Sequence, residues 1–405
     1  MGADVAGGLV KQHLIDPEIC IRCNTCEATC PIGAVTHDAS NYVVDVTTCN
    51  FCMDCVAPCP TGAIDSFFMV RAPFSLDEQF SWSELPPRSA EAEAPDALDD
   101  EATALLAEAH ARAGGRARAP ETASKPRINL FNRASPAQAT VAGNYRITAA
   151  EAGSEVRHLI LDFGAVPFPV LEGQSIGIIP PGADAQGSGH AMRLYSIASA
   201  RDGERPNTNN LALTVKRVLE ARPDGSVFHG VASNYLCDLR RGDAVQVVGP
   251  FGATFLMPDD PDADIIMLCT GTGAAPFRGF TERRRRASPH GRGRLHLFFG
   301  ARTPQELPYF GPLQKVPAAL LDRELVYSRL PDAPREYVQD RMRRRAADLA
   351  ALLPRPGAHV YVCGLRGLED GVEHAFAEIG HAHGFDWLAL RARMLEEGRY
   401  HVETY

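Results

Sequence analysis

The sequence predicts a multidomain chain in which a small cysteine-rich α+β domain precedes an antiparallel β-barrel and then an α/β doubly wound domain. Three observations carry this reading. Eight of the eleven cysteines fall between residues 20 and 59. From about residue 125, short alternating segments separated by turn residues, such as RHLILDFG, GQSIGIIPPG, RLYSIAS, LALTVKRV and DAVQVVGPFG, read as antiparallel strands. From about residue 261, the apolar runs DIIMLCT, GRLHLFF, ELVYS and HVYVCG alternate with helical stretches, as in a parallel sheet covered on both faces. At 405 residues, 45% hydrophobic and 22% charged, the chain is long enough for two or three packed domains.

Composition excludes several classes of function. A net charge of -9 argues against nucleic acid as the main partner, because neutralising phosphates needs a basic surface. No run of about 18 apolar residues suggests a membrane span. The opening MGADVAGGLVKQHLIDPE lacks the charged start and apolar core of a secretory signal, so the expected location is the cytoplasm. In a reducing compartment, such a density of cysteine means metal or cluster ligation rather than cross-linking.

Residues 20–31 read CIRCNTCEATCP and residues 49–60 read CNFCMDCVAPCP, two runs of the form C-x2-C-x2-C-x3-C-P. Thiolates are soft ligands suited to iron-sulfur clusters, and three cysteines at this spacing can hold three irons of a cubane while the fourth ligates the other cluster. Zinc knuckles, by contrast, use two closely spaced cysteines per half-site. The spacing therefore assigns Cys20, Cys23, Cys26 and Cys59 to one [4Fe-4S] cluster and Cys49, Cys52, Cys55 and Cys30 to a second. With the matched PIGAV and PTGAI that follow the runs, residues 11 to 71 resemble the bacterial two-cluster ferredoxin. Residues 1–71 carry eight Asp and Glu against three Lys and Arg, a net of -5, and an acidic domain should dock on a basic surface.

Residues 72–124 are rich in Ala, Pro and Glu and read as a flexible acidic linker. Asp99 to Ala113, with acidic residues at its start and Gly114 just after, fits a short helix on that tether. A tether keeps an electron acceptor at high effective concentration beside its donor.

The remainder resembles the plant-type ferredoxin-NADP reductase family, with a barrel over 125–260 and a nucleotide domain over 261–405. The resemblance implies FAD bound by Arg193, Leu194, Tyr195 and Ser196, the arginine on the diphosphate, the tyrosine on the isoalloxazine and the serine near its reactive edge. Thr214, Val215 and Lys216 lie on the adjoining strand, and Val231, Ala232 and Ser233 sit in a turn at a helix start that suits a diphosphate. One departure is visible: where plant enzymes place the aromatic residue that stacks on the adenine, four positions after Lys216, this chain has Glu220. Gly271, Thr272 and Gly273 follow an apolar strand and open a helix, a geometry that admits a diphosphate. Arg302, with Glu306, Leu307 and Tyr309, resembles the next cofactor-contacting loop. Ser328, Arg329, Arg335 and Tyr337 resemble the set that grips a ribose 2'-phosphate, so the resemblance implies NADPH rather than NADH. Arg335 stands where the family usually has lysine and adds a bidentate option. Cys363, Gly364, Leu365, Glu403 and Tyr405 complete the match. Ser196, Cys363, Glu403 and Tyr405 are implied in hydride transfer, with the tyrosine covering the flavin face.

Elsewhere the plainer reading is preferred. Glu155 with His158 and Glu378 with His381 have di-iron spacing but no partner glutamates, so they read as structural. The arginine runs 283–286 and 343–345 read as solvated helix faces, with docking of the acidic domain as the alternative. Cys237 and Cys269 read as packed apolar residues.

The expected function is a two-electron to one-electron converter using NADPH, FAD and two [4Fe-4S] clusters. The order of parts and the opening KQHLIDPEICIRCNTCEATCP resemble the reductase components of benzoyl-CoA 2,3-epoxidase systems, which implies a separate di-iron oxygenase subunit as electron acceptor in aerobic benzoate breakdown. A general NADPH-ferredoxin reductase with a fused carrier is the alternative. A purely structural or sensory role for the clusters is disfavoured by Ser196, Cys363, Glu403 and Tyr405, which a scaffold would not need.

Overall fold

The structure, a computed structural model, describes residues 10–52, 54–56, 58–64, 67–70, 72–86, 100–109, 117–183, 187–222 and 225–405. The chain divides into two compact units, one around the cysteine runs and one comprising the barrel and nucleotide domains.

In the first unit, β1 (Val10–His13) pairs antiparallel with β4 (Phe67–Val70), and β2 (Val35–His37) with β3 (Tyr42–Val44). Helix α1 (Thr25–Thr29) carries Cys26 into the core, which Ile15, Val35, Val44, Cys55 and Ile64 complete. Helix α2 (Leu76–Phe80) opens on a capping box in which Ser75 and Glu78 satisfy each other's backbone N–H. Its Gln79 is buried and pairs with the backbone of Val44, accepting from the N–H at 3.2 Å and donating to the carbonyl at 3.1 Å. Gln12 does the same with Phe74, at 2.8 Å in both directions.

The described parts of the segment read as a flexible linker are folded onto one unit or the other. Residues 72–86 belong to the cysteine-rich unit, because buried amide side chains need the backbone partners that α2 and its flanks supply. The helix expected from Asp99 to Ala113 is α3 (Asp100–Ala109), with 110–113 outside the described residues. Its Leu105 and Leu106 pack on Met192, Val248 and Phe251 of the second unit, which partly buries them. Ser124 is likewise fixed, donating to Asp259 through both its N–H and its hydroxyl.

The barrel is a six-stranded antiparallel sheet built from β5 (Ala137–Arg146), β6 (Val156–Asp162), β7 (Ser175–Ile178), β8 (Arg193–Ser196), β9 (Asn210–Lys216) and, after an insertion, β12 (Ala244–Phe251), in the order β8-β7-β12-β5-β6-β9. The Ala198 N–H donates to the Ala212 carbonyl at 2.7 Å and Ile197 bridges Leu213, so the last strand returns to the first and no edge is left open there. The insertion between β9 and β12 is a hairpin, β10 (Leu219–Ala221) and β11 (Val227–His229), followed by α4 (Val231–Asp238).

The nucleotide domain has five parallel strands, β13 (Asp264–Thr270), β14 (Leu295–Ala301), β15 (Leu321–Tyr327), β16 (Ala358–Gly364) and β17 (Tyr400–Thr404), in the order β15-β14-β13-β16-β17. Alternation along β13 sends Ile266 and Leu268 to one face and Ile265, Met267 and Cys269 to the other. The first face is covered by α7 (Val338–Arg344), α8 (Ala346–Leu352), α9 (Leu368–His383) and α10 (Trp387–Glu396), and the second by α5 (Ala274–Ala287). Helix α6 (Phe310–Lys315) lies between β14 and β15 in sequence. Among the described residues no helix is long and apolar enough to cross a membrane.

Candidate functional site

In the first unit the two cysteine runs fold so that their sulfurs line two separate hollows. Cys20, Cys23, Cys26 and Cys59 line one, and Cys30, Cys49, Cys52 and Cys55 line the other. The fourth cysteine of each run thus crosses to the hollow of the other run, the grouping expected from the spacing. Apolar side chains complete both walls, Ile15, Tyr42 and Ile64 in the first and Val35 and Val44 in the second. Among the described residues no three His, Cys, Asp or Glu side chains converge as ligands of a single ion would.

The PIGAV and PTGAI repeats have a physical role here. Gly33 and Gly62 take positive φ, 65° and 71°, which turns the following amides back toward the preceding cysteine. Burial disfavours charge on Cys30, yet the N–H groups of Ile32, Ala34 and Val35 outweigh it and lower the thiol. Cys59 is lowered in the same way, against burial, by Ile64, Thr61 and Ala63. Amide donors aimed at sulfur stabilise thiolate and so suit a cluster.

In the second unit a cleft of about 930 Å³ runs between barrel, hairpin and nucleotide domain. Arg193, Leu194, Tyr195 and Ser196 on β8, Thr214 and Lys216 on β9, and Val231, Ala232 and Ser233 in the first turn of α4 line it, as do Thr272, Leu365, Glu403 and Tyr405. Arg193 and Lys216, with Arg217 and Arg366 also on the lining, and the N–H groups of a helix start therefore face one cavity, a donor set that suits a diphosphate. Ser175, which the sequence did not single out, lies opposite Ser196 in the β7–β8 register and donates to Glu403 Oε1 at 3.5 Å. Burial pushes the Glu403 carboxyl up to about 7, with Ser175 and Ser196 pulling the other way, and its Oε2 has no partner among the described residues. Tyr405 shares a hydrogen bond with Thr272 at 2.7 Å, and its backbone N–H donates to the Gly364 carbonyl at 3.1 Å. Tyr405 is 47% exposed, whereas Cys363 is completely buried and opposite Glu403 in the β16–β17 register. Burial, then the nearby carboxylate, drives the Cys363 thiol well above its ordinary range.

Gly273 belongs to the turn after β13, where a Cβ would lie 2.1 Å from the Cys363 carbonyl oxygen. Only glycine lets the turn close on β16, while Gly271 takes φ 55°. Gly364, Gly271 and Gly273 thus stand together at the carboxyl ends of the central strands.

Three expected contacts are placed differently. Val215 turns its side chain into the barrel core among Leu161, Leu213 and Leu236, because alternation on β9 points Thr214 and Lys216 to the cleft instead. Tyr309 is 6% exposed and faces inward, bonded to His158 Nδ1 at 3.0 Å and to the Thr214 hydroxyl at 2.6 Å, with the Arg278 guanidinium 5.2 Å from its ring centre. It latches barrel to nucleotide domain. Burial would raise Glu204 beside it, but hydrogen bonds from His158 and Arg278 hold that carboxyl at about 2. Arg302, Ser328, Arg329, Arg335 and Tyr337 do not line the cleft. They gather at the carboxyl ends of β14 and β15, where the Ser328 and Arg329 amides donate to the Ala301 and Arg302 carbonyls, and Arg329, Arg335 and Tyr337 are exposed.

Of the arginine runs, Arg285, Arg343 and Arg344 stand on exposed helix faces, as expected, while the others are partly or wholly buried and paired within the second unit. Buried Arg284 donates to the carbonyls of Pro261, Ala263 and Gly293, and Arg286 pairs with Asp202 and Glu282. Arg343 pairs with Glu378, Arg344 with Glu336, and Arg345 with Asp322, Glu324 and Asp348. Glu155 pairs with Arg157 and Arg217, and Cys237 and Cys269 are buried core residues, as the plainer readings had it.

Residues 19–64 match the 4Fe-4S dicluster domain family and residues 267–374 the oxidoreductase NAD-binding domain family. The ferredoxin-NADP reductase of the Cyanophora paradoxa cyanelle is 41% identical over 291 residues, 69% of this chain and 79% of that protein. The chloroplastic enzyme of Spinacia oleracea is 34% identical over 288 residues, 69% of this chain and 78% of that protein. Among solved structures, ferredoxin-NADP+ reductase from Plasmodium falciparum aligns with a TM-score of 0.54 at 23% identity, over 69% of this chain and 99% of that one. The chain belongs to the ferredoxin-NADP reductase family and carries a 4Fe-4S ferredoxin domain ahead of it. It is an NADP-dependent oxidoreductase whose cofactors are FAD, NADPH and [4Fe-4S] clusters. The two cysteine quartets fit the clusters, and the cleft with its cations and helix start fits the dinucleotide.

Proposed function

We propose that this chain is the reductase component of a two-part oxygenase: it takes hydride from NADPH, divides the electron pair through its own FAD and two clusters, and delivers single electrons to a separate di-iron oxygenase that epoxidises benzoyl-CoA. The observation that carries the relay is that two cysteine quartets and a dinucleotide cleft lie on one polypeptide. FAD, when bound, supplies the exchange between a two-electron donor and one-electron acceptors.

The chain's own residues have distinct tasks in this reading. Arg193, Lys216 and the first amides of α4 hold the diphosphate. Ser175 and Ser196 orient the Glu403 carboxyl, and Thr272 holds the Tyr405 ring at the cleft until nicotinamide displaces it. Arg329 and Arg335 grip the 2'-phosphate of NADPH, with Ser328, Tyr337 and Arg302 around them, and no acidic residue of that set would favour NADH. The eight cysteines hold the clusters.

The choice of benzoyl-CoA oxygenase as acceptor rests on the order of the two parts and on the resemblance of the opening segment. The second reading, a general NADPH-ferredoxin reductase with a fused carrier, is favoured by the identity to ferredoxin-NADP reductases. Anaerobic addition of NADPH and then NADH, with optical detection of flavin and electron paramagnetic resonance of the clusters, tests the relay. Cluster signals with NADPH preference are expected; flavin that bleaches while clusters stay oxidised in the presence of mediator dyes would sink it. Oxygen uptake with the partner oxygenase, dependent on benzoyl-CoA, then decides between the acceptors, and uptake indifferent to the acyl-CoA favours the general reductase.

A further inference from the structure

The β10–β11 hairpin carries apolar side chains that serve no core. Leu219 and Val227 are each 51% exposed on one face and Phe228 is 38% exposed on the other, on three-residue strands whose every residue is exposed. Exposed apolar clusters of this kind mark contact surfaces. Phe228 lies directly opposite Glu220 in the antiparallel register, and residues so paired project from the same face of a sheet. Both line the cleft, next to Lys216 and the α4 start. The Arg222 guanidinium sits 5.3 Å from the Phe228 ring centre and braces the ring.

Only three of the residues lining the cleft, among those described, carry a phenyl or phenol ring: Tyr195, Tyr405 and Phe228. FAD brings two flat aromatic systems on opposite sides of a diphosphate. Tyr195 and Tyr405 stand with Ser196 and Glu403, which leaves Phe228 for the other system. We propose that Phe228 is the platform on which the FAD adenine stacks, reached from across the hairpin, and that Glu220 beside it accepts a hydrogen bond from the adenine amino group. A base stacked on an aromatic ring gains enough to matter for affinity, and a carboxylate is a natural acceptor for an exocyclic amine. The pair would select FAD over FMN, which has no adenine.

This inference rests on the cleft holding FAD, and the two can fail separately. Full-length wild-type, Phe228→Ala, Phe228→Tyr and Arg193→Ala proteins are equilibrated with equal FAD and FMN, and the bound flavins are then released and separated. Phe228→Ala should lower the FAD-to-FMN ratio roughly 5- to 100-fold and speed FAD release, read as flavin fluorescence on dilution, while Phe228→Tyr keeps both near wild type. Glu220→Tyr added to Phe228→Ala should recover the ratio, because position 220 shares the face. Far-ultraviolet circular dichroism and cluster absorbance check that the fold is intact, which an exposed hairpin position allows. An unchanged ratio in Phe228→Ala, while Arg193→Ala sheds flavin, overturns the adenine platform and keeps the cleft. Flavin binding indifferent to both overturns the cleft as well.

Discussion

Glu403 is a buried carboxyl with no cation beside it among the described residues, so its charge is decided by burial, and it titrates near pH 7. The folded-state value lies above the unfolded one, so the fold favours the neutral acid. The stability this represents is complete below about pH 4.5 and is lost as pH rises toward 7, on the order of 3 kcal/mol in all. Glu403→Gln removes that dependence: its melting temperature should match wild type near pH 5 and exceed it at pH 8. In the reaction, a carboxylate in the cleft opposes the arrival of negative charge. NADPH-driven flavin bleaching in stopped flow should therefore slow in wild type as pH rises through about 7 and stay flat in Glu403→Gln. Parallel profiles would mean that another group titrates. A second buried acid behaves differently. Glu172 has no exposed side-chain surface and is held by Arg201, which also reaches Asp259 at 2.9 Å and Ser124 at 2.8 Å. Arg201→Leu strands that carboxylate and should cost about 3–5 kcal/mol, measured by chemical denaturation; a loss under 1 kcal/mol would show that the site relaxes to admit water. The chemistry-bearing residue types were legible in the sequence, whereas Ser175 was not, since nothing local distinguishes it from any strand serine until β7 and β8 pair.

Among the elements, the cysteine runs were fully legible because ligand spacing is set by the chain within a dozen residues, and the strands were legible from alternation. Helix α3 was legible from its acidic start and the glycine after it, though what it packs on was not, and helix α2 was not legible. The Ser75-x-x-Glu78 capping box does stand in the sequence, but it is surrounded by Ala, Pro and Glu that suggest no core. What orders α2 is Gln79 acting as a substitute strand for Val44, a non-local bond. What orders α3 is burial of two leucines, and its Arg366–Glu108 ion pair is exposed and adds little. Leu105→Ala with Leu106→Ala should thus release α3 while Glu108→Gln should not. Hydrogen exchange of amides 100–109 reads the difference, and protection lost equally in both would assign the helix to its ion pair. Since Leu105 and Glu108 also line the cleft, release should widen access to it.

For the molecule as a whole, the domain boundary follows packing rather than composition. A fragment ending at residue 71 lacks the partners of Gln12, Asn41 and Val44, whereas one ending at 86 retains them. The longer fragment should hold about twice the cluster iron of the shorter after anaerobic reconstitution, and equal loading would return 72–86 to the role of tether. Cys59→Ser in the full chain should remove the cluster signal that Cys20→Ser removes and spare the other, because both sulfurs line one hollow. The three-part fold and the pairing of the cysteine runs could be read from residue order, because each is specified by a local period or spacing that survives without knowledge of neighbours in space, while FAD and NADPH followed from the family resemblance. The inward turn of Val215, the latch at Tyr309, the burial of Arg284 on three backbone carbonyls, the charge state of Glu403 and the placing of Phe228 opposite Glu220 could not. Each depends on register between strands or on the low dielectric of a packed interior, and residues far apart in the chain acquire those properties only once the fold has brought them together.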